Sequence, residues 1–257
     1  FFHEIFKNFF TNSEKMKKKL GISNDKKIVT FAMNNSYEDL SKEHIKKIEH
    51  RYYETYNHNN GFEEKLKHMI ECRKRLVETV IFTLNNFKDI NIVIKPHPNE
   101  NIAFWQNLVS RNKKLKILIG KPINDLLKIS DIHIGMKGCL TIVEASLMNI
   151  PNIELDTFSK TSVNEFFNEH LNLALYSSDN NDDYYKFIKK IIENKVDSQE
   201  IIKQKNKIDK YVGKYLYKFD AKRCKDYAKK IIHFVDNCEI NQEFKKNRLF
   251  DIKIMYK

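Results

Sequence analysis

Residues 131–155 read DIHIGMKGCLTIVEASLMNIPNIEL, and this stretch decides the fold that the rest of the chain is expected to adopt. Its apolar start predicts a strand at 132–135, followed by a tight turn between two glycines. Residues 139–148 have helical spacing, and four apolar side chains are expected to share one face: Leu140, Val143, Leu147 and Met148. Pro151 ends that helix, and a second strand is predicted at 152–155. Strand, turn, helix and strand form a βαβ unit, the building block of a parallel sheet.

The turn of this unit is suited to binding an anion. Where a strand leads through a glycine turn into a helix, backbone N–H groups and the positive end of the helix face the space beyond the strand. Thr141 lies in the first turn of the helix, where its hydroxyl can add to those donors. Glu144 follows one turn later, within reach of a ribose hydroxyl if a nucleotide lies there. A crossover without any ligand, and a helix glutamate that meets a lysine, have the same pattern, so both interpretations stay open.

Composition limits the class of protein. The chain has 257 residues, of which 41% are hydrophobic, enough for one large domain or two small ones. Its net charge of +12 comes mostly from lysine, whereas arginine is the preferred fork for phosphate and base edges. We therefore expect a solvated basic surface and no specific nucleic acid as partner. A weak attraction to an anionic membrane face is compatible with this charge.

Export, metal and disulfide signals are not found in the sequence. No apolar run approaches the roughly 20 residues that span a bilayer, and no signal peptide opens the chain. The four cysteines lack C-x-x-C spacing and have no accompanying histidine pair, which favours reduced thiols over a zinc site. These features predict a cytoplasmic protein without a metal site, which touches the inner membrane at most from its periphery.

Strands and helices alternate along the central part of the chain. Apolar strands are predicted at 27–33, 90–95 and 115–119, in addition to those at 132–135 and 152–155. The segments between them have helical spacing. This alternation predicts an α/β fold with a Rossmann-like, doubly wound parallel sheet, followed by C-terminal helices.

The sequence divides into three expected regions. Residues 1–26 have the spacing of a helix, and because the chain starts with Phe1 rather than Met, we expect them to be the end of a missing N-terminal domain. Residues 27–195 form the α/β domain, interrupted by a polar, tyrosine-rich insertion at 37–60. Residues 196–257 form a lysine-rich helical segment.

Polar side chains follow three of the predicted strands, which is the strongest indication of a site. They are Asn34, Asn35, Lys95, His97, Glu100, Lys137 and Cys139, and Gly138 lies among them. Ligands of open parallel sheets bind beyond the carboxyl ends of the strands, so these residues are expected to share one rim. The prolines on either side of His97 stiffen its turn, and such an imidazole can donate to a phosphate or serve as an acid. A surface turn with an incidental histidine has the same sequence.

Three segments together resemble a known family. They are KIVTFAMNNS (27–36), IVIKPHPNENIAFW (92–105) and SDIHIGMKGCLTIVEASLMNIPNIEL (130–155). In this order they resemble the bacterial surface carbohydrate biosynthesis proteins, which are similar to the C-terminal, donor-binding half of GT-B glycosyltransferases. The positions that match the family's motifs are His97, Pro98, Glu100, Trp105, Cys139, Thr141, Glu144 and Ala145. Gly138, Leu140 and Ile142 depart from the family's pattern, and Leu140 removes a hydroxyl that would contact a phosphate.

The resemblance implies a metal-independent glycosyltransferase that takes a sugar from a nucleotide-activated donor in surface polysaccharide biosynthesis. His97 would hold or protonate the leaving phosphate, and Glu144 would bind the ribose. The donor phosphates would lie against Lys95, Lys137, Gly138, Cys139, Thr141, Asn34 and Asn35, with Glu100 as a further site candidate. The His-Pro element also resembles that of transferases with CMP- or CDP-linked donors, so the nucleotide sugar is expected as a substrate and no cofactor is expected. The acceptor would be a polysaccharide or a lipid-linked molecule.

Two other functions remain open. A nucleotide-sugar 2-epimerase on the same architecture would need further carboxylates and an arginine that faces the sugar, and few arginines lie near the predicted strand ends. A non-catalytic basic module for nucleic acid or anionic membrane would be expected to carry aromatic RNA-binding motifs or an arginine-rich patch, which this sequence lacks.

Overall fold

The structure, a computed structural model, describes most of the chain. The described residues are 13–33, 43, 45–47, 49–50, 62–98, 100–157, 172–215 and 228–233. Several sequence predictions lie outside them: the start of the N-terminal helix, most of the insertion at 37–60, Asn34 and Asn35, and most of the chain beyond 215.

Six parallel strands form the sheet in the described part of the chain. They are β1 (Lys27–Ala32), β2 (Ile90–Lys95), β3 (Leu115–Ile117), β4 (Ile132–Met136), β5 (Asn152–Leu155) and β6 (Tyr176–Ser178). The strand order is β3-β2-β1-β4-β5-β6, and every neighbouring pair is parallel. The prediction of a doubly wound parallel α/β sheet is therefore confirmed.

Helices cover both faces of this sheet. They are α1 (Ser13–Leu20), α2 (Phe62–Asn86), α3 (Ile102–Ser110), α4 (Ile123–Leu127), α5 (Leu140–Leu147), α6 (Asn181–Ile192) and α7 (Ser198–Tyr215). Asparagine side chains cap two of them, because an Asn oxygen can accept a free N–H of the first turn. Asn101 accepts from the Ala103 N–H at the start of α3, and Asn180 accepts from the Asp183 N–H at the start of α6. No helix in the described ranges is long and apolar enough to cross a membrane.

The core lies on both faces of the sheet. On one face, Leu76 of α2 and Tyr184 of α6 pack against a cluster that includes Phe31, Ile94 and Ile134. On the other face, a first group joins α1 and α4 to the sheet through Met16, Ile28, Val93 and Leu126. A second group on α5 and α7 consists of Val143, Ile208 and Val212, together with Leu173. Because both faces are covered, the central strands are apolar along their length instead of alternating with polar residues.

The path of the chain reverses direction beside β1. From β1 the chain moves outward through β2 to β3, then returns to the other side of β1 to form β4. The connections on the two sides of this point diverge, and ligands of such sheets bind in the space beyond the carboxyl ends of the strands here, between β1 and β4, which we call the crevice. The residues after β2 and β4 flank this crevice, and the sequence predicts the site at the same place.

Two predicted details differ from the structure. β3 ends at Ile117 instead of 119, and β4 continues to Met136. Leu140 was expected on the buried face of its helix, but 58% of its surface is exposed. Leu140 is the first residue of α5, beside the rim of the sheet, so the side chains that reach the core come later in the helix: Ile142, Val143 and Ala145.

Candidate functional site

Lys95 and Glu144 are the two opposite charges at the centre of the rim. Lys95 ends β2, Glu144 lies on the second turn of α5, and both side chains are half-buried. Burial lowers the pKa of Lys95 and raises the pKa of Glu144, and in each case the charge of the other residue partly opposes the shift. The two side chains therefore lie close enough to interact across the crevice, although Lys95 ends a strand on one side of β1 and Glu144 lies on the helix that follows β4 on the other side.

His97 lies beside Lys95, in the turn that follows β2. Its imidazole is half-buried, and its pKa is lowered first by burial and then by the positive charge of Lys95. The free site therefore holds a neutral imidazole at neutral pH, which can donate one hydrogen bond and accept another. The same proximity means that an anion bound between Lys95 and His97 would favour the protonated imidazole.

Glu100 holds the backbone of the His97 turn. Its Oε2 accepts the His97 N–H at 2.9 Å, and its own N–H donates to the His97 carbonyl at 3.0 Å. The Glu100 side chain is 0% exposed, and its Oε1 lies 3.6 Å from Nε of Arg73 on α2. The Arg73 guanidinium in turn lies 4.7 Å from the centre of the Phe104 ring. Glu100 is thus directed into the protein, where it fixes the turn, and away from the open rim.

The turn before α5 is closed by its own backbone. The Cys139 N–H donates to the Met136 carbonyl at 3.0 Å, and Gly138 has a φ of 78°, in the left-handed region that favours glycine. Cys139 then caps α5 without a side-chain hydrogen bond. This geometry leaves the first N–H groups of α5 at the rim, as the sequence predicts.

The Thr141 hydroxyl makes two polar contacts beneath the first turn of α5. Its Oγ is 3.2 Å from Sγ of Cys139 and 3.1 Å from Nε2 of His133. Burial raises the pKa of the Cys139 thiol, more than the Thr141 hydrogen bonds lower it, so the sulfur is a protonated thiol at neutral pH. Thr141 can sit this close to the sheet because Gly135 lies under it: a Cβ at Gly135 would be 3.2 Å from the Thr141 Oγ.

His133, which the sequence reasoning did not single out, contacts the first turn of α5. It lies in the middle of β4, it is 0% exposed, and burial lowers its pKa to about 3. Its Nδ1 is 3.0 Å from Oγ of Thr30 on β1, so its ring joins β1 to the first turn of α5. The signal in the sequence was a histidine between two isoleucines of a strand that is otherwise buried. A polar residue at such a position needs partners on both of its nitrogens.

The side chain of Lys137 is held away from Lys95 by an ion pair. Its Nζ is 2.6 Å from Oδ2 of Asp156, and the two side chains are only 13% and 18% exposed. Asp156 directly follows β5, so Lys137 is held on the far side of β4 from Lys95. Nearby Glu154 of β5 is 0% exposed, and neither of its carboxylate oxygens has a hydrogen-bond partner in the described part of the chain.

A cysteine and a histidine meet on the opposite face of the sheet. Sγ of Cys72 is 3.3 Å from Nε2 of His68 and 3.5 Å from Oγ of Thr157. Burial raises the pKa of the Cys72 thiol to about 11, and burial also lowers the pKa of His68. Both groups are neutral at neutral pH, so this pair has neither the thiolate nor the imidazolium of a cysteine nucleophile.

The structure therefore brings Lys95 within electrostatic reach of both His97 and Glu144, and it places Thr141 and Cys139 at the start of α5. It places Lys137 and Glu100 in ion pairs of their own, and Asn34 and Asn35 lie outside the described residues. Within the described ranges, no group of three or more His, Cys, Asp and Glu side chains is placed to hold a metal ion.

No protein-family model and no curated protein matches the sequence. Among solved structures, similar ones include three of the wall teichoic acid polymerase TagF: a point variant, that variant soaked with CDPG, and the polymerase itself. Each is 12% identical to this chain and aligns with 86% of it, with TM-scores of 0.48, 0.44 and 0.43 respectively. The aligned part covers 46%, 44% and 46% of those chains, so this chain spans less than half the length of that polymerase. Because these TM-scores are below 0.5 at this identity, the similarity does not establish the activity of the chain.

Proposed function

We propose that this chain is the donor-binding half of a glycosyltransferase-like enzyme that uses a nucleotide-activated sugar in surface polysaccharide biosynthesis. The observation that carries the proposal is the convergence of Lys95 and His97, which follow β2, with Glu144 of α5. Such a meeting of a cation, an imidazole and a carboxylate at the crevice of a doubly wound sheet suits a phosphate linked to a ribose.

The charge at the crevice favours an anion on one side. Lys95 is half-buried, and its pKa is lowered chiefly by burial, so the ammonium gains more from an added anion than a fully solvated lysine would. The N–H groups at the start of α5 point to the same rim. Lys95 and these N–H groups would stabilise the negative charge that develops on the leaving phosphate. Lys137, already paired with Asp156, would contribute only to the more distant potential.

His97 would hold the donor phosphate through an imidazole N–H. Because its pKa is lowered in the free site, the free imidazole is a poor proton donor at neutral pH. A bound phosphate would raise that pKa, and the residue would then be able to protonate the leaving oxygen. The structure thus supports holding as the first role of His97 and allows proton transfer once the donor is bound.

Glu144 would accept hydrogen bonds from the ribose hydroxyls. It lies one turn after Thr141, so a phosphate at the start of α5 would place the attached ribose along the helix. Its pKa is raised by burial, which means that hydroxyl donors would replace some of the water it has lost. The sugar and the acceptor would occupy the open side of the crevice.

Calorimetric titration with CMP, CDP, UDP and GDP tests this proposal. The wild-type chain should bind at least one of them, and we expect a CMP- or CDP-type ligand to bind best. Lys95→Gln should weaken that binding on the order of tenfold, because a charge-assisted contact to phosphate contributes about 1.5–3 kcal/mol. Lys113→Gln is the matched control, since Lys113 is exposed and lies at the opposite end of the sheet, before β3. Absence of nucleotide binding, or equal effects of the two substitutions, would refute the proposal.

A further inference from the structure

A chain of polar groups runs through the α4–α5 side of the sheet to the rim. Ser130 Oγ donates to Thr30 Oγ or to the Leu126 carbonyl, at 2.9 and 2.8 Å. Thr30 Oγ donates to the Ile132 carbonyl at 3.2 Å and also lies 3.0 Å from Nδ1 of His133. The other nitrogen of His133 reaches Thr141. Thr30 and His133 are both 0% exposed, so solvent cannot substitute for any partner in this part of the chain.

Two arrangements of protons are possible at the histidine ring, and they differ in which acceptor receives the hydroxyl proton of Thr30. The ring of His133 is neutral, so one nitrogen carries a hydrogen and the other accepts one. If Nδ1 is protonated, it donates to Thr30, and Nε2 must accept the hydroxyl proton of Thr141. If Nε2 is protonated, it donates to the oxygen of Thr141, and Nδ1 accepts the hydroxyl proton of Thr30, which then no longer donates to the Ile132 carbonyl.

The two arrangements differ in what Thr141 offers to the rim. In the first, the single proton of Thr141 points into the sheet, so the hydroxyl presents only lone pairs to an approaching anion. In the second, Oγ accepts from the ring and its proton is available outward, toward Cys139 or toward an anion at the first turn of α5. Only the second arrangement adds a donor to those of the helix start.

We propose that His133 is a positioning residue, which holds its hydrogen on Nε2 when the site is occupied and so directs the Thr141 hydroxyl proton to the bound phosphate. This inference rests on the proposed function, since the anion is the phosphate of the donor. Thr30 on β1 contributes to this arrangement, because its hydroxyl can donate to the unprotonated Nδ1 of His133. The crevice strand β1 thereby takes part in donor binding through a side chain that never reaches the ligand.

Nitrogen-15 NMR of the histidine rings tests the tautomer directly. Long-range proton–nitrogen correlations distinguish the protonated nitrogen of a neutral imidazole from the bare one. Spectra of the wild-type chain would be recorded without ligand and with saturating inorganic pyrophosphate, and His133→Gln would assign the resonance. We expect the bound chain to have the hydrogen on Nε2 of His133. A bound chain with the hydrogen on Nδ1 would overturn the inference.

Two isosteric substitutions test the same point by affinity. In His133→Gln, the longer side chain places an amide N–H near the position of Nε2, where it can still donate to Thr141. In His133→Asn, the amide lies near Nδ1 and cannot reach Thr141. We expect Gln to keep pyrophosphate affinity within about threefold and Asn to lose on the order of tenfold. In a Thr141→Val background, His133→Asn should cause no further loss. Equal losses for Gln and Asn, or a loss that persists without the hydroxyl, would contradict a positioning role.

The outcomes separate this inference from the proposed function. If the wild-type chain binds neither pyrophosphate nor any nucleotide, both fail together. If it binds them with the hydrogen of His133 on Nδ1, only the positioning role fails. The amide spectra of both variants show whether they fold, and if either does not, the tautomer of the wild-type chain decides the question.

Discussion

The ammonium of Lys137 lies 2.6 Å from Oδ2 of Asp156, in an ion pair that is largely shielded from solvent. The sequence placed Lys137 among the phosphate contacts because it follows β4 directly. Its side chain instead crosses to the end of β5, and Lys95 is the lysine that interacts with His97 and Glu144. Two lysines that follow strands on either side of β1 therefore differ: Lys137 is held in an ion pair, and Lys95 is the cation that we propose for the donor phosphate.

This division predicts that Lys137→Gln acts on stability and hardly on nucleotide affinity. Removal of one partner leaves Asp156 poorly solvated, at a cost of about 3 kcal/mol in the free energy of unfolding. Lys186→Gln is the control, because the Lys186–Asp183 pair is 71% and 45% exposed and should contribute less than about 1 kcal/mol. Urea denaturation gives both values. A tenfold loss of nucleotide affinity in folded Lys137→Gln would contradict this prediction and show that Lys137 takes part in nucleotide binding.

Glu100→Ala should destabilise the chain through the His97 turn. The substitution removes the acceptor of the His97 N–H and leaves Arg73 beside an empty space, and breaking a buried pair costs about 3–5 kcal/mol. Glu43→Ala provides the comparison, because the side chain of Glu43 is 81% exposed and its pair with Lys47 is a surface contact. Thermal unfolding followed by circular dichroism measures the difference. Equal midpoints for the two variants would show that Glu100 does not fix the turn.

The strand pattern could be predicted from the sequence because burial on both faces of a parallel sheet leaves continuous apolar runs. The rim position of His97 and Thr141 followed from those strand ends. What could not be predicted was the direction of individual side chains. His133 meets Thr30, which lies 103 residues earlier, and no local spacing encodes that pair. Glu100 matches a motif position, yet its partner Arg73 comes from α2 on a different part of the chain.

Gly135→Ala should disturb the start of α5. A Cβ there would lie 3.2 Å from the Thr141 Oγ and 3.3 Å from Cδ1 of Ile142, so these side chains must move by a few tenths of an ångström, and such overpacking costs about 1–3 kcal/mol. Gly213→Ala in α7 is a matched control with the opposite sign. No atom lies within 4 Å of the added methyl group, and alanine favours a helix over glycine by about 1 kcal/mol. Denaturant midpoints should move in opposite directions, and a neutral Gly135→Ala would show that the helix start tolerates displacement.

The buried carboxyl of Glu154 predicts a dependence of stability on pH. Burial raises its pKa to about 7. The nearby Ser177 hydroxyl, which makes no hydrogen bond to the carboxylate, and the charge of Lys137 partly oppose this shift. The unfolded chain releases this proton near pH 4.5, whereas the folded chain keeps it until about pH 7. Stability from this group is therefore fully present below pH 4.5 and is lost as the pH rises to 7, by about 1.4 kcal/mol per pH unit.

The glutamine in Glu154→Gln cannot ionise, so this variant should not lose stability in this way as the pH rises. The free energy of unfolding of the variant minus that of the wild-type chain should increase by roughly 3 kcal/mol between pH 4.5 and pH 8, which means that the variant becomes relatively more stable. Glu63→Gln, an exposed position at the start of α2, should show no such trend. Chemical denaturation of the three chains across this range measures the difference. If the wild-type chain and Glu154→Gln change in parallel, the carboxylate has a stabilising partner when it is ionised, and its burial is not what sets the pH profile.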